Sequence, residues 1–212
     1  MKESNEELFK RLITDNKLGI KDEKLFDKES RKYTLARTKE IIKTPIKGNF
    51  DYQHLKNIHK HIFQDVFYWA GKDRMEVGLS GFMSKGDSLF CSTEYIPGEA
   101  KKIFDELTKN NYLKNSKDLN HFAKDLANFM SDLNALHPFR EGNGRTQRIF
   151  LNELAKNAGY KLDLNLIPKD KMIMASVEAS QLKLGKLEAI IKTNLKSFRQ
   201  NLDLEQNKGI SL

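Results

Sequence analysis

Twelve consecutive residues, HPFREGNGRTQR from His137 to Arg148, hold a histidine, a carboxylate, two glycines around an asparagine, and two arginines of a shared face. Each residue type has a use beside a phosphate. Glycine lets an anion approach backbone N–H groups closely, and a helix opening behind it adds unpaired donors and a partial positive charge. Arg145 and Arg148, three apart on a helix, can hold phosphate oxygens with two guanidinium forks. Glu141 is placed to hold Mg²⁺ against bound phosphates. An unperturbed imidazole, with a pKa of about 6.5, would suit His137 to general-base work. Base, metal ligand, anion cradle and cationic clamp together point to phosphoryl or nucleotidyl transfer. One such residue alone would read as an ordinary structural feature; the ordered combination is far rarer.

These residues need a helix on either side. Leu119, Phe122, Leu126, Phe129, Met130, Leu133 and Leu136 recur at helical spacing and stop at His137, where Pro138 disfavours helical geometry in the residue before it. Ile149, Leu151, Leu154 and Ala155 resume the spacing, and Gly159 suits a C-terminal stop. The glycines are therefore expected just before a new helix. Further helices are expected over 4–13, 24–43, 51–67, 97–109 and 169–182, and another through Leu187, Ile190, Ile191, Leu195, Phe198 and Leu202. Glu76 to Thr93 differs: three glycines, weak alternation and the turn signal KGD suggest a β-hairpin or a long ordered loop.

With 212 residues, 39% hydrophobic and 31% charged, one soluble domain is expected, 1–212. Its core spans about 30–200, with an N-terminal helical extension over about 1–29 and a frayed tail over about 203–212. No apolar run is long enough for a membrane span. The N-terminus has no apolar stretch of a signal peptide, and the lone Cys91 fits a reducing, cytoplasmic location. The net charge of +8 is spread among acids, which argues against direct nucleic-acid binding and leaves room for a polyanionic small ligand. His54, His59 and His61 lack the spacing of a zinc site, His121 reads as surface, Trp69 as core or as an anchor for the hairpin, and Cys91 as a packed thiol.

The stretch from His137 resembles the signature of the Fic (filamentation induced by cAMP) family, H-P-F-x-[DE]-G-N-G-R-x-x-R, at every defined position. DVFYWAGKDR, Asp65 to Arg74, looks like the segment leading to that family's target-docking hairpin, and SKGDSLF, Ser84 to Phe90, is similar to the hairpin itself, the flap. The resemblance implies an all-α, Fic-type helical bundle with a small β-hairpin flap beside the active-site loop. It implies a protein adenylyltransferase that uses ATP and Mg²⁺ to place AMP on a Ser, Thr or Tyr hydroxyl of a target protein. His137 would be the base and Glu141 the Mg²⁺ ligand. Gly142, Asn143, Gly144, Arg145 and Arg148 would hold the phosphates, with the backbone N–H groups around the glycines as anion hole. Phe139 would anchor the loop, and Ser84, Lys85 and Gly86 would lie near nucleotide and target.

Gly144 stands where phosphate-transferring relatives carry lysine. Transfer of phosphate or phosphocholine, or an idle nucleotide-binding regulator, stays as the alternative. Many relatives are restrained by a helix bearing [ST]-x-x-x-E-[GN]. No Ser or Thr of this sequence has Glu four residues later. The resemblance then points to a toxin-like member restrained by a separate small antitoxin.

Overall fold

The computed structural model describes residues 3–86 and 88–197. Eight α-helices lie among them: α1 (Asn5–Thr14), α2 (Glu23–Lys43), α3 (Tyr52–Phe63), α4 (Ile96–Lys109), α5 (Leu119–Leu136), α6 (Asn143–Asn157), α7 (Lys169–Ser180) and α8 (Gly185–Asn194). Four two-residue strands and three short 3-10 helices accompany them among the described residues. β1 (Ser84–Lys85) pairs antiparallel with β2 (Ser88–Leu89), and β3 (Tyr160–Lys161) with β4 (Lys196–Ser197). The fold is thus helical with a small hairpin in the stretch whose sequence suggests one.

Local chemistry sets the helix starts. Ser4 and Glu7 form a reciprocal capping box at α1, while Asp22 and Asp51 accept the Leu25 and His54 N–H groups at the starts of α2 and α3. Other boundaries depart from the sequence pattern. The helix expected over 51–67 stops at Phe63, because Phe67 turns to bridge Asn16 and the Val66 carbonyl accepts the Lys17 N–H. The last helix stops at Asn194, because Lys196 pairs with Lys161. Phe198, Leu202 and the expected frayed tail lie outside the described residues. α6 begins at Asn143, so Gly142 precedes the helix while Gly144 sits inside its first turn.

Two compact units divide the chain, and the division falls inside α4, α5 and α6. One comprises 1–104 with 134–150. Its core is built from Ile58, Ile62, Phe63 and Phe67, with Phe139 and Phe150 from either side of the glycine loop. Trp69 is buried in it and donates to the Leu12 carbonyl at 2.6 Å, so it anchors α1 rather than the hairpin. The other unit comprises 105–133 with 151–212. There Phe122 stacks on Tyr160 at 4.2 Å, and Asn152 accepts the Leu164 N–H. Every residue singled out for chemistry belongs to the first unit.

Candidate active site

The loop between α5 and α6 is held by its own side chains. Asn143 Nδ2 donates to the Phe139 carbonyl at 2.6 Å, and Asn143 Oδ1 accepts the Phe139 N–H at 2.9 Å. The asparagine side chain therefore closes the loop on itself. Gly142 has a φ of 87°, and a Cβ there would lie 2.3 Å from the Phe63 ring. Both the backbone conformation and the packing demand glycine. Phe139, 1% exposed, stacks on His59 with centroids 3.9 Å apart.

His59 is fully buried. Its Nδ1 accepts the Gly71 N–H, so Nε2 carries the proton and donates to the Glu141 carbonyl at 3.0 Å. Burial, aided by the Arg145 charge, lowers its pKa to about 3 and keeps it neutral. It braces the loop from behind. His54 is likewise buried and bonded at both ring nitrogens, while His61 meets Glu40 at 3.1 Å. Among the described residues no group of three or more His, Cys, Asp or Glu could hold a metal ion. His121 is exposed; Cys91 is partly buried beside Ile96, Ala100 and Leu136.

His137 stands in a left-handed backbone conformation, φ 42°, a costly one for a non-glycine residue. Arg74 holds it there. The Arg74 Nε donates to the His137 carbonyl at 3.0 Å, and the Arg74 N–H to the Pro138 carbonyl at 2.8 Å. The imidazole stacks on Phe90, centroids 3.7 Å apart and 17° from parallel. Its Nδ1 donates to the Asn134 carbonyl at 3.3 Å, which leaves the lone pair on Nε2. Burial above all, then the charges of Arg74 and Lys85, lower its pKa to about 4, against the Asn134 hydrogen bond and, less strongly, Glu141, which raise it. The value near 6.5 expected for an unperturbed imidazole is thus corrected downward: the ring is neutral and able to accept a proton throughout the physiological range.

At the opening of α6 the first helical bond runs from the Thr146 N–H to the Gly142 carbonyl, 3.1 Å. The Asn143, Gly144 and Arg145 N–H groups precede it, in the turn that has no acceptors of its own. The Gly142 N–H is already engaged by its neighbour's carboxylate, Glu141 Oε1, at 2.9 Å. Glu141 Oε1 also meets Arg145 Nη2 at 3.2 Å, and Arg145 Nη1 reaches Thr34 Oγ1 of α2 at 3.0 Å. The Arg148 guanidinium folds back over the same turn, 3.3 Å from where a Gly144 Cβ would stand. Ser84, Lys85 and Gly86 are exposed on the hairpin, joined to His137 through the Phe90 stack. The structure thus brings together His137, Glu141, the three loop residues and both arginines.

Arg74 and His59 have a part in the site that the sequence does not announce. Arg74 closes DVFYWAGKDR, and His59 lies in α3; their partners here are mostly backbone atoms of distant segments, which carry no residue-type signal.

The helical fold with its two-stranded hairpin superposes on solved Fic domains. Residues 49–155 match the Fic/DOC family, and the chain belongs to it. Protein adenylyltransferase VbhT of Bartonella schoenbuchensis is 37% identical over 196 residues, covering 92% of this chain and 40% of its own length, so the chain spans less than half of that relative. The probable protein adenylyltransferase y4lH of Sinorhizobium fredii is 35% identical, covering 85% of this chain and 90% of its own. The N-terminal Fic domain of a putative cell filamentation protein from Bartonella quintana, with bound ADP, superposes with a TM-score of 0.82 at 30% identity, over 88% of this chain and 92% of its own. BepC from Bartonella tribocorum, with bound AMPPNP, gives 0.79 at 28% identity, over 86% and 91%.

Proposed function

We propose that this chain is a protein adenylyltransferase that moves AMP from ATP to a hydroxyl side chain of a target protein. The observation that carries the reading is the placement of a neutral His137, its Nε2 lone pair available, at the loop that opens α6 and its two arginines. His137 Nε2 takes the proton of a Ser, Thr or Tyr hydroxyl. The oxygen forms a bond to the α-phosphorus, the bond to the β-bridging oxygen breaks, and pyrophosphate leaves. The N–H groups of the first turn of α6 receive the phosphates, and Arg145 and Arg148 balance their charge. The hairpin docks the target by adding a strand to its edge.

Glu141 suits Mg²⁺. Its side chain is 44% exposed at the mouth of the loop, and one carboxylate with substrate phosphates and waters is a common Mg²⁺ environment. The ion, when bound, neutralises charge on the α- and β-phosphates and the leaving group. Glu141 would hold the ion through its carboxylate, of which Oε1 now accepts from the Gly142 N–H and from Arg145.

The proposal includes a cytoplasmic location and a restraint in trans. A small antitoxin would present a helix whose glutamate pairs with Arg148 and excludes the γ-phosphate. The reading is tested with ATP labelled in the α- or the γ-phosphate, Mg²⁺ and a bacterial lysate. Label should enter protein from the α position only. Label from the γ position, or none from either, overturns it.

A further inference from the structure

Arg74 is 1% exposed and among the largest fully buried side chains. Its acceptors are all neutral oxygens. Nη2 donates to the carbonyls of Cys91 at 2.6 Å and Leu136 at 3.3 Å, Nη1 to Thr93 Oγ1 at 3.1 Å, and Nε to the His137 carbonyl at 3.0 Å. A buried cation without a bonded carboxylate is an expensive way to fill a core, since an apolar side chain of similar volume costs less desolvation. What an apolar residue lacks is a fork of donors that reaches two chain segments at once. Here the segments are 91–93, which follows directly from Phe90, and 136–138, which carries His137. The two stacked rings therefore hang from backbones tied to a single guanidinium.

We propose that Arg74 is a positioning residue for the transfer reaction, fixing from one buried group both the backbone that presents His137 and the end of the hairpin that docks the target. The assignment rests on the adenylyltransferase reading for its purpose, though not for its geometry. Target docking at the hairpin and orientation of the base are then set together, and loosening one loosens the other.

The test compares Arg74→Lys and Arg74→Gln in the full chain. Lysine keeps the charge but has no fork; glutamine loses both charge and fork. Amide exchange at Phe90 and Cys91, bonded to the Met83 and Ala135 carbonyls, should rise about tenfold in both variants while α3 stays protected. kcat for transfer should fall about 10²-fold with KM for ATP within about twofold. The acidic limb of the rate profile should move upward only in Arg74→Gln, because Arg74 and Lys85 push the His137 pKa down and Glu141 pushes it up. Wild-type exchange at Phe90 and Cys91, or a rate lost in step with ATP binding, overturns the proposal. If the wild-type chain transfers nothing, the activity reading fails while the exchange comparison still decides the role of Arg74. If neither variant folds, Thr93→Val decides: raised exchange at Phe90 at an unchanged melting temperature supports the role, and wild-type protection overturns it.

Discussion

Phe90, the residue after β2, lies face to face with His137 at the end of α5, ring centroids 3.7 Å apart and planes within 17°. The stack joins the hairpin to the imidazole directly. It also shields one face of the ring from water, which is part of why burial depresses its pKa to about 4. Phe90→Ala should remove an aromatic contact of about 0.5–1.5 kcal/mol. We expect transfer to drop while ATP affinity, read by calorimetry, changes little. Phe90→Tyr should restore transfer; failure of both variants to bind ATP would show that the stack merely holds the fold.

His137→Ala should leave the α6 opening intact and lower the transfer rate about 10²–10⁴-fold, as loss of a general base does. In the wild-type chain the free-enzyme rate should stay level from pH 8 downward and decline only toward pH 4, where His137 takes up its proton. A limb near pH 6.5 would contradict the buried environment described for the ring.

Stability should fall in acid for a related reason. His59 and His137 have folded-state pKa values of about 3 and about 4, below the ordinary histidine value of 6.5. The unfolded chain therefore binds more protons below pH 6.5, and stability contributed at neutral pH is lost as pH falls toward those values. His59→Gln should flatten the fall between pH 6 and 4.5 by about 1.4 kcal/mol per pH unit, one proton's worth. Urea unfolding across that range measures it.

Gly142 and Gly144 should respond differently to alanine. At Gly142 a methyl group would collide with Phe63 at 2.3 Å in a backbone conformation of φ 87°, and a loss of about 2 kcal/mol or more is expected. At Gly144 the neighbour is the guanidinium of Arg148 at 3.3 Å, which can move aside. Thermal unfolding should register the first substitution strongly and the second hardly, while ATP affinity should fall in both.

Glu141→Gln breaks the half-exposed pair with Arg145. Such a helical pair is worth about 0.3–0.5 kcal/mol, so unfolding should change little. If the carboxylate holds Mg²⁺, transfer should fall far more than stability, and raising Mg²⁺ should recover part of it.

The chemistry was legible where its residues are contiguous. His137, Glu141, the glycines and both arginines fall in one dozen residues, and the helices on either side announce themselves by spacing. Arg74 and His59 were not legible as parts of the site. Most of their bonds run to carbonyls and N–H groups many residues away, and only folding chooses those atoms. A spacing test for metal ligands had no means of finding the brace of His59 on the Glu141 carbonyl. β3 and β4 were missed because two residues offer no alternation to read.

An open strand edge is also a hazard. Phe82 and Leu89 on the hairpin are 66% and 63% exposed, and unpaired backbone beside apolar side chains invites another copy of the same chain to pair there. Two residues per strand, with Lys85 opposite Ser88, give too short a ladder and too much charge for self-pairing to hold. The brevity of this hairpin is, on this account, what keeps a sticky surface from pairing with itself between encounters.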